Sequence, residues 1–463
     1  MVGQENWQHG QYRRGKKRRY DGEPITALQL GSVKMVTKAS SAPPFSFPRL
    51  TLTVAAVALA VLPSVRGSTN GDDFLGVGAV SRSLGGNGSA APQDALSAVS
   101  LNPAGLSFLP GDADSEADVS ITIFVPDISA TVGLLSAKSG AKTYLVPSLG
   151  VARPLGRKNS PWQYGFGFYG LAGAGVNYND SVLSGTLGAT PYPLVAGGYT
   201  QFETIELAPS LSYRISSQLS LGAAIDLDYG RLDLGGPTRT GIGVGAQPGV
   251  IYRPSEDLYF GISYLSPKPI TYKSVVDFSG NGKLDNLELE APQQWAFGAA
   301  LKIPSSSLLI MADARWVNWG GAPGYKDFGW QNAWVYGTGV QFDAIPKKLV
   351  LRAGYTFGGN PVTTDNGFNG TGTPANVTDV QGNYVNNYYY QTFRIVGFPA
   401  IVENHLSFGL SYTFDNRSSL EIGYTHSFKF TVSEHGLNVL GAPTTISSTL
   451  SEDSYEVGYR YRF

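Results

Sequence analysis

The feature that most constrains this chain is a strict alternation of apolar and polar side chains, clearest in residues 455–463. That segment consists of Tyr-Glu-Val-Gly-Tyr-Arg-Tyr-Arg-Phe and ends on Phe463. Because successive side chains of a strand point to opposite faces, the aromatic and aliphatic residues share one face and the charged residues share the other. The pattern favours the wall of a β-barrel with lipid outside and a polar lumen inside. The alternative at this point is an amphipathic edge strand of a soluble sandwich.

The same alternation recurs along the chain between turn signals, and we predict fourteen antiparallel strands. They lie at roughly 118–135, 142–152, 162–175, 201–215, 218–231, 242–253, 257–273, 288–303, 307–319, 332–343, 348–358, 402–414, 418–432 and 450–463. An even strand count is what bacterial single-chain barrels show.

The links between the predicted strands alternate in length. Short links are predicted at 214–218, 253–257, 304–307, 343–348 and 415–419, and the links between them, at 176–200, 232–241, 274–287, 320–331, 359–401 and 433–449, are mostly long. Outer-membrane barrels have short periplasmic turns and long external loops. The asymmetry therefore favours a membrane barrel over a sandwich.

The composition agrees with many strands and argues against several function classes. Gly accounts for 58 of 463 residues and charged residues for only 15%, against roughly 25% in typical soluble domains. The chain has no Cys and a net charge of −1, so we expect neither a disulfide framework nor a nucleic-acid partner. His405, His426 and His435 lack a catalytic context, and we expect no enzyme activity, no metal and no cofactor.

The N-terminal region predicts a leader that is removed. Residues 50–62 form an apolar run that Arg49 precedes, and small residues follow near Gly67. This arrangement is typical of a secretory signal peptide, and the run is too short for a stable transmembrane helix. We assign residues 1–67 to the signal peptide and leader, with Met1 or Met35 as the start.

Residues 74–109 do not alternate and are rich in Gly, Ala, Ser and turn formers, which indicates compact irregular structure. This stretch resembles the N-terminal plug of the outer-membrane transporters for long-chain fatty acids and aromatic hydrocarbons (FadL/TodX type). The triplet Asn102-Pro103-Ala104 matches that family's Asn-Pro-Ala motif. The resemblance continues through residues 201–206 and 292–319 to the terminal strand.

The resemblance implies an all-β transmembrane barrel of 14 antiparallel strands with an N-terminal plug in the lumen. The plug would comprise residues 68–115 and the barrel residues 116–463, in the outer membrane of a Gram-negative bacterium. We expect a monomer in contact with outer-membrane lipid. We also expect the barrel-assembly machinery to recognise the strand that ends on Phe463.

Three glycines of the third predicted strand, Gly165, Gly167 and Gly170, spell a G-x-G-x-x-G pattern. A dinucleotide site would need a following helix and an acidic residue further on, and neither is present. The glycines instead predict a weak strand that is prone to a bulge or kink, or a wall that leaves room for plug side chains. In the resembled family the third strand bends inward and opens a lateral gap.

The resemblance, together with the predicted barrel, implies a passive outer-membrane channel for hydrophobic small molecules such as long-chain fatty acids or aromatic hydrocarbons. Release would follow from movement of the plug around Asn102-Pro103-Ala104 or from the lateral gap. The alternatives are a general water-filled porin and a structural outer-membrane barrel.

Candidate ligand-binding residues are two arginines and one aromatic residue. Arg315 and Arg352 could each bind a fatty-acid carboxylate, because the guanidinium fork matches a carboxylate. Phe393 belongs to an aromatic loop, 359–401, which could collect apolar molecules or pack on the headgroup layer.

Overall fold

The structure is a computed structural model that describes residues 71–110, 115–278, 280–372, 376–415 and 417–463. The predicted signal peptide and leader, 1–67, lie outside the described residues. The strands of the described part are, in chain order, β1 (Glu116–Val132), β2 (Leu135–Lys138), β3 (Tyr144–Pro154), β4 (Trp162–Asn177), β5 (Tyr199–Arg214), β6 (Leu219–Asp233), β7 (Arg239–Tyr252), β8 (Leu258–Leu265), β9 (Lys268–Val276), β10 (Asp285–Ala291), β11 (Gln294–Ile303), β12 (Leu308–Val317), β13 (Ala333–Ile345), β14 (Leu349–Phe357), β15 (Phe368–Asn369), β16 (Val377–Val380), β17 (Asn383–Asn386), β18 (Asn404–Thr413), β19 (Ser418–Leu437) and β20 (Pro443–Arg462).

Fourteen of these described strands form a closed antiparallel wall, which confirms the predicted fold class. Each wall strand pairs with the next wall strand along the chain, and β20 returns to pair with β1. In that closing pair Glu116 lies opposite Arg462, and Val132 lies opposite Ile446. Closure leaves the wall without a free edge, so every wall strand has two neighbours.

The described helical segments are short. They are α1 (Gly78–Ser83), α2 (Ala95–Leu101), a 3₁₀ turn (Pro103–Phe108), α3 (Asn387–Thr392), a π-helical segment (Phe393–Gly397) and 3₁₀ turns at Val182–Ser184, Trp319–Gly321 and Lys326–Phe328. None of the helices in the described residues has both the length and the apolar character needed to cross a membrane.

Two predicted strands extend too far. The predicted strand 257–273 covers both β8, which belongs to the wall, and β9, which leaves it after Leu265. The predicted strand 288–303 likewise joins β10 and β11 across Pro292. Proline has no backbone N–H to donate to a sheet, and Pro267 lies where the chain leaves the wall and Pro292 where it returns. Between them β9 and β10 form a separate hairpin.

The wall has one end with short turns and one with long loops, although the difference is smaller than predicted. Links 215–218, 346–348 and 414–417 are short, whereas 178–198 and 358–403 are long. Two links that were predicted to be long, 232–241 and 433–449, shrink to 234–238 and 438–442 because their strands extend further. We call the two ends the short-turn end and the long-loop end.

The outward face is apolar and carries aromatic residues near both ends. On β20, Tyr455 and Tyr459 are exposed whereas Glu456 between them is fully buried. Trp162 and Tyr213 lie 4.5 Å apart, centroid to centroid, toward the short-turn end, and Tyr264 and Trp295 lie 4.7 Å apart toward the long-loop end. Aromatic girdles at both interfaces are typical of outer-membrane barrels.

Candidate functional site

The plug, residues 71–110, lies inside the lumen and fills its short-turn half. Wall glycines allow a close approach, since a Cβ at each would meet plug atoms: Gly150, Gly165, Gly167, Gly222, Gly249, Gly261, Gly298, Gly337, Gly339, Gly354 and Gly409. These glycines come from strands all around the barrel. The wall therefore meets the plug backbone directly, with little space between them.

Polar side chains of the wall bind the plug backbone. The carboxylate of Asp313 accepts hydrogen bonds from the N–H groups of Gly88 and Ser89, at 3.0 and 2.9 Å, and from the Ser89 hydroxyl at 2.8 Å. The hydroxyl of Thr356 donates to the carbonyl of Gly85 at 2.6 Å. Buried backbone groups need such partners, so displacing the plug would break a full set of hydrogen bonds.

The triplet Asn102-Pro103-Ala104 lies where the plug meets β6, β7 and β8. The Asn102 amide donates to the carbonyl of Ser89 at 2.8 Å and to that of Val250 in the wall at 3.2 Å. Its side-chain oxygen accepts from the N–H of Ala104 at 3.2 Å. The triplet thus contacts both the plug and the wall, and a gating role for it stays a prediction.

The wall contains an opening between β3 and β4. Pairing of these strands ends at Ser148 and Tyr169. Further toward the long-loop end, the N–H of Gly140 donates to the carbonyl of Asn177 at 2.6 Å and closes the wall again. Between these two contacts, residues 144–147 of β3 face residues 170–176 of β4 without β-pairing in the described structure. We call this opening the window.

The plug's N-terminal segment takes the place of β3 along this part of β4. The N–H of Phe74 donates to the carbonyl of Leu171 at 3.0 Å, and the N–H of Gly173 donates to the carbonyl of Asp72 at 3.1 Å. The register of β4 against β5 shifts between Gly170 and Ala172. Such a bulge bends a strand, and here β4 turns to the segment inside the lumen.

The three predicted glycines of β4 divide between the two features. Gly165 and Gly167 face the plug, where a Cβ would lie 2.8 and 2.9 Å from Val99. Gly170 lies at the window, and a Cβ there would contact Val146 across the opening. Both interpretations of the glycines therefore apply, each to different residues.

A cavity of about 370 Å³ lies directly inside the window. Its apolar lining includes Phe124, Ile128, Val146, Phe202 and Leu450. The volume lies near the lower end of the range for small-molecule sites, and an enclosed cavity of roughly 150 Å³ suffices for benzene. The cavity is therefore large enough for one aromatic ring or a short alkyl chain.

One wall of the cavity is polar and holds Arg82 of the plug. Its guanidinium lies 2.6 Å from Glu456 and donates to the Ser454 hydroxyl at 2.6 Å. The ring of Phe74 covers it at 5.2 Å. His405 lies on the same wall, with its Nδ1 2.8 Å from the hydroxyl of Ser427.

Two acidic residues of the plug border the cavity toward the long-loop end. Asp72 accepts a hydrogen bond from the Tyr325 hydroxyl at 2.5 Å, and Asp73 accepts one from the Gln294 amide at 2.7 Å. Burial, together with the neighbouring Asp73, raises the pKa of Asp72 to about 8. Burial also raises the pKa of Asp73 to about 6. The plug segment that bonds the inner side of β4 is thus also bonded to the loops, through the hydrogen bond between Tyr325 and the titratable carboxyl of Asp72.

The hairpin of β9 and β10 folds into the lumen and narrows it. A Cβ at Gly230, Gly241, Gly243 or Gly245 of β6 and β7 would meet β9 side chains. Lys268, at the start of β9, is fully buried and ion-pairs with Glu206 and, at 3.0 Å, with Asp228. The hairpin is therefore fixed against the inner wall.

None of the three residues predicted to bind ligand lines this cavity, and the structure does not bring them together. Arg315 donates to the carbonyl of Gly86 at 3.3 Å. Arg352 donates to Gln341 at 2.7 Å and lies 3.6 Å from Glu421. Phe393 packs in the loops, where its ring lies 5.0 Å from that of Phe328 and 5.4 Å from that of Phe398.

Sequence reasoning missed Arg82, His405 and Glu452 as residues of the cavity. Arg82 stands out as a lone cation within the Gly- and Ser-rich plug sequence, and that was a usable signal. Its partner Glu456 is 374 positions away, and no local pattern connects the two.

A plugged barrel with an apolar outer face defines this protein as an outer-membrane barrel. The profile of the outer membrane protein transport protein family (OMPP1/FadL/TodX) matches residues 75–367. The chain belongs to this family and is an outer-membrane protein of the kind found in Gram-negative bacteria.

Solved structures share the fold. The toluene transporter TodX of Pseudomonas putida aligns with a TM-score of 0.61 at 19% identity, over 84% of this chain and 99% of its own. The toluene transporter TbuX of Ralstonia pickettii gives 0.57 at 17% identity, over 84% and 99%. A FadL homologue of Pseudomonas aeruginosa gives 0.60 at 15% identity, over 85% and 100%. No curated protein sequence matches the chain.

Proposed function

We propose that the protein is a passive channel for hydrophobic small molecules, such as long-chain fatty acids or aromatic hydrocarbons, and that they leave sideways through the window. The observation that carries the proposal is an apolar cavity that borders an opening in the wall while the plug beneath is held by hydrogen bonds. Two relatives of the same fold are described as toluene transporters.

The driving force is burial of apolar surface, at roughly 25 cal/mol per Å². A solute that enters from the long-loop side loses contact with water in the cavity. The window then offers it the hydrocarbon interior of the membrane, where it is equally dry. No energy source is needed, because an apolar solute partitions spontaneously from water into the cavity and from there into the membrane.

Release through the window fits the contacts better than release by plug movement. Displacing the plug would leave the carboxylate of Asp313 and the N–H groups of Gly88 and Ser89 unpaired. Each such group costs about 1–3 kcal/mol. The window, by contrast, already lacks strand pairing between β3 and β4. The alternative hypothesis of a water-filled porin has less support, since the plug and the β9–β10 hairpin both occupy the lumen.

A reversible crosslink tests the route. A Cβ on Gly170 lies 3.7 Å from the Cβ of Val146, within the span of about 3.5–4.5 Å that disulfides require. The chain has no Cys of its own, so the variant Val146→Cys/Gly170→Cys can form only this bond. Uptake of toluene should stop in the oxidised form and return on reduction. Vesicles with a lipopolysaccharide outer leaflet suit the assay, with glycerol as a hydrophilic solute of equal mass.

A second crosslink is the matched control. A Cβ on Gly339 lies 3.4 Å from the Cβ of Leu84, so Leu84→Cys/Gly339→Cys ties the plug to the wall. Toluene uptake should continue in its oxidised form. Loss of uptake with the plug tied, but not with the window tied, would assign release to plug movement. If wild-type vesicles admit toluene no faster than empty ones, the channel function itself is wrong.

We also propose that the protein is a monomer and that the assembly machinery recognises its last strand. The N–H of Phe463 donates to the carbonyl of Ser115 at 3.0 Å, so the terminal residue completes the seam between β20 and β1. Light scattering of the purified protein tests the first proposal. Deletion of Phe463, with insertion measured in cells, tests the second.

A further inference from the structure

We infer that the cavity at the window selects uncharged ligands that carry a hydroxyl group and rejects carboxylates such as ionised fatty acids. The inference rests on the proposed function, in that it takes this cavity as the ligand site. It narrows the ligand class that the site accepts.

The charges around the cavity disfavour an anion. Among the described residues of its lining, Asp72, Asp73, Glu203 and Glu452 are acidic, and Arg82 is the one Lys or Arg. A carboxylate that enters the cavity therefore meets several acidic groups and a single cation, although Asp72, with a pKa of about 8, adds its negative charge only at high pH. It gains a favourable interaction only if that cation is available.

Arg82 is already committed to the protein. Its Nε lies 2.6 Å from Glu456, a side chain with no exposed surface, and its other contacts are Ser454 and the face of Phe74. Glu456 already neutralises the charge of Arg82, so a ligand carboxylate gains the full attraction of this cation only by displacing Glu456. That exchange would leave Glu456 as a buried charge without a partner, which is strongly unfavourable.

Two further cations near the cavity are also paired. Arg231 lies 3.3 Å from Glu203, which itself borders the cavity. Lys268 is fully buried between Glu206 and Asp228. Neither Arg231 nor Lys268 can turn to a ligand without leaving a carboxylate unpaired, so neither of them compensates the charge of an anion.

Two buried side chains of the cavity lining have an atom without a hydrogen-bond partner among the described residues, Asp72 through Oδ1 and His405 through Nε2. His405 is 7% exposed and lines the cavity, and its Nε2 makes no hydrogen bond to the described protein atoms. Its Nδ1 contacts the Ser427 hydroxyl, which also hydrogen-bonds Glu452. The ring is thereby held in place with Nε2 as its free position.

A hydroxyl matches this nitrogen in either form. Neutral imidazole carries a proton on one nitrogen and a lone pair on the other, so Nε2 is a donor in one tautomer and an acceptor in the other. A hydroxyl both donates and accepts. An alkane would leave Nε2 unpaired, whereas an alcohol of the same length would satisfy it and keep its chain on the apolar lining.

The test compares octanol, octane and octanoate as ligands of the wild-type protein in lipid nanodiscs, with binding to empty nanodiscs subtracted. At a pH where octanoate is ionised, octanol should bind about tenfold or more tightly than octanoate, with octane between them. The variant His405→Phe should lower octanol binding to the level of octane and leave octane unchanged. Equal binding of octanol and octanoate, or an equal loss of octanol and octane, would overturn the inference.

A second variant gains rather than loses binding, so it does not depend on His405. Glu456→Gln removes the carboxylate that holds Arg82 and should raise octanoate affinity about tenfold, with octane as the unaffected control. Unchanged octanoate binding would contradict the argument on charge. If none of the three ligands binds the wild-type protein, the proposed function fails; if octane binds but the preferences are absent, only this inference fails.

Discussion

The short-turn half of the lumen and the half toward the long loops are enclosed by the same strands, yet they hold their contents differently. In the short-turn half the wall meets the plug through glycines such as Gly222 and Gly354. Wall side chains such as Asp313 satisfy the plug backbone. In the other half β3 and β4 separate, and a cavity of about 370 Å³ remains beside the opening.

The difference shows what the inward-facing residues of a barrel decide. The outward residues of both halves are apolar and serve the membrane. In the short-turn half the inward residues are Gly or side chains that bind the plug backbone, and they seal the lumen. In the other half apolar inward residues such as Phe124 and Phe202 line the cavity. A strand such as β4 does both, with Gly165 against the plug and Gly170 at the window.

The largest effect is expected from loosening the β9–β10 hairpin, which narrows the half of the lumen toward the long loops. Lys268→Met leaves Glu206 and Asp228 as buried carboxylates without their cation. Breaking a buried ion pair in this way costs about 3–5 kcal/mol. We expect the β9–β10 hairpin to leave the inner wall, and single-channel recordings should show a larger ion conductance than the wild-type protein gives.

The control neutralises the whole group. Lys268→Met combined with Glu206→Gln and Asp228→Asn removes the uncompensated charges at similar volume, and it should restore most of the stability. Equal conductance of the wild type and the single variant would mean that the hairpin does not narrow the pore.

A smaller effect is expected from loosening the plug. Asp313→Ala removes the acceptor of the N–H groups of Gly88 and Ser89. Leaving buried donors unpaired costs about 1–3 kcal/mol. The ion leak should rise while toluene uptake stays near the wild-type rate, because the window is unchanged. The comparison of the two halves would be wrong if uptake fell in step with the rise in leak.

Much of the fold could be predicted from the sequence because each strand of a membrane barrel alternates between apolar outward and polar inward side chains. The apolar face cannot vary where it meets lipid, so β18, β19 and β20 show it clearly. The predicted strand 257–273 failed because β9 also alternates, although it packs inside the lumen and not in the wall. Alternation marks a strand but does not say which sheet contains it.

The cavity was harder to predict, because its residues come from distant parts of the chain. Arg82 and Glu456 are 374 positions apart. Arg315 and Arg352 were chosen as cations that could bind a carboxylate, but both are used by the protein itself. A sequence shows which side chains are charged, whereas only the fold shows which of them are already paired.

The smallest expected effect concerns the titratable contact between the plug and the loops. Burial raises the pKa of Asp72 to about 8, far above its value in an unfolded chain. Between these two pKa values the folded state binds more protons than the unfolded state, so the stability of this contact falls as pH rises. Above the raised pKa the ionised carboxylate lies buried beside Asp73, and the segment at residues 71–75 should be held more weakly.

Hydrogen exchange measures this weakening directly, since the N–H of Phe74 is bonded to Leu171 of β4. After correction for intrinsic exchange, its protection should fall about tenfold between about pH 7 and about pH 9. Asp72→Asn removes the titration and should give protection that does not change with pH. Amides of the short-turn half, such as those of Gly88 and Ser89, should stay protected throughout, since the plug there is held away from Asp72. A parallel loss of protection in both halves would mean that the plug moves as one body. The distinction between a fixed part of the plug in the short-turn half and a pH-sensitive segment at residues 71–75 would then be wrong.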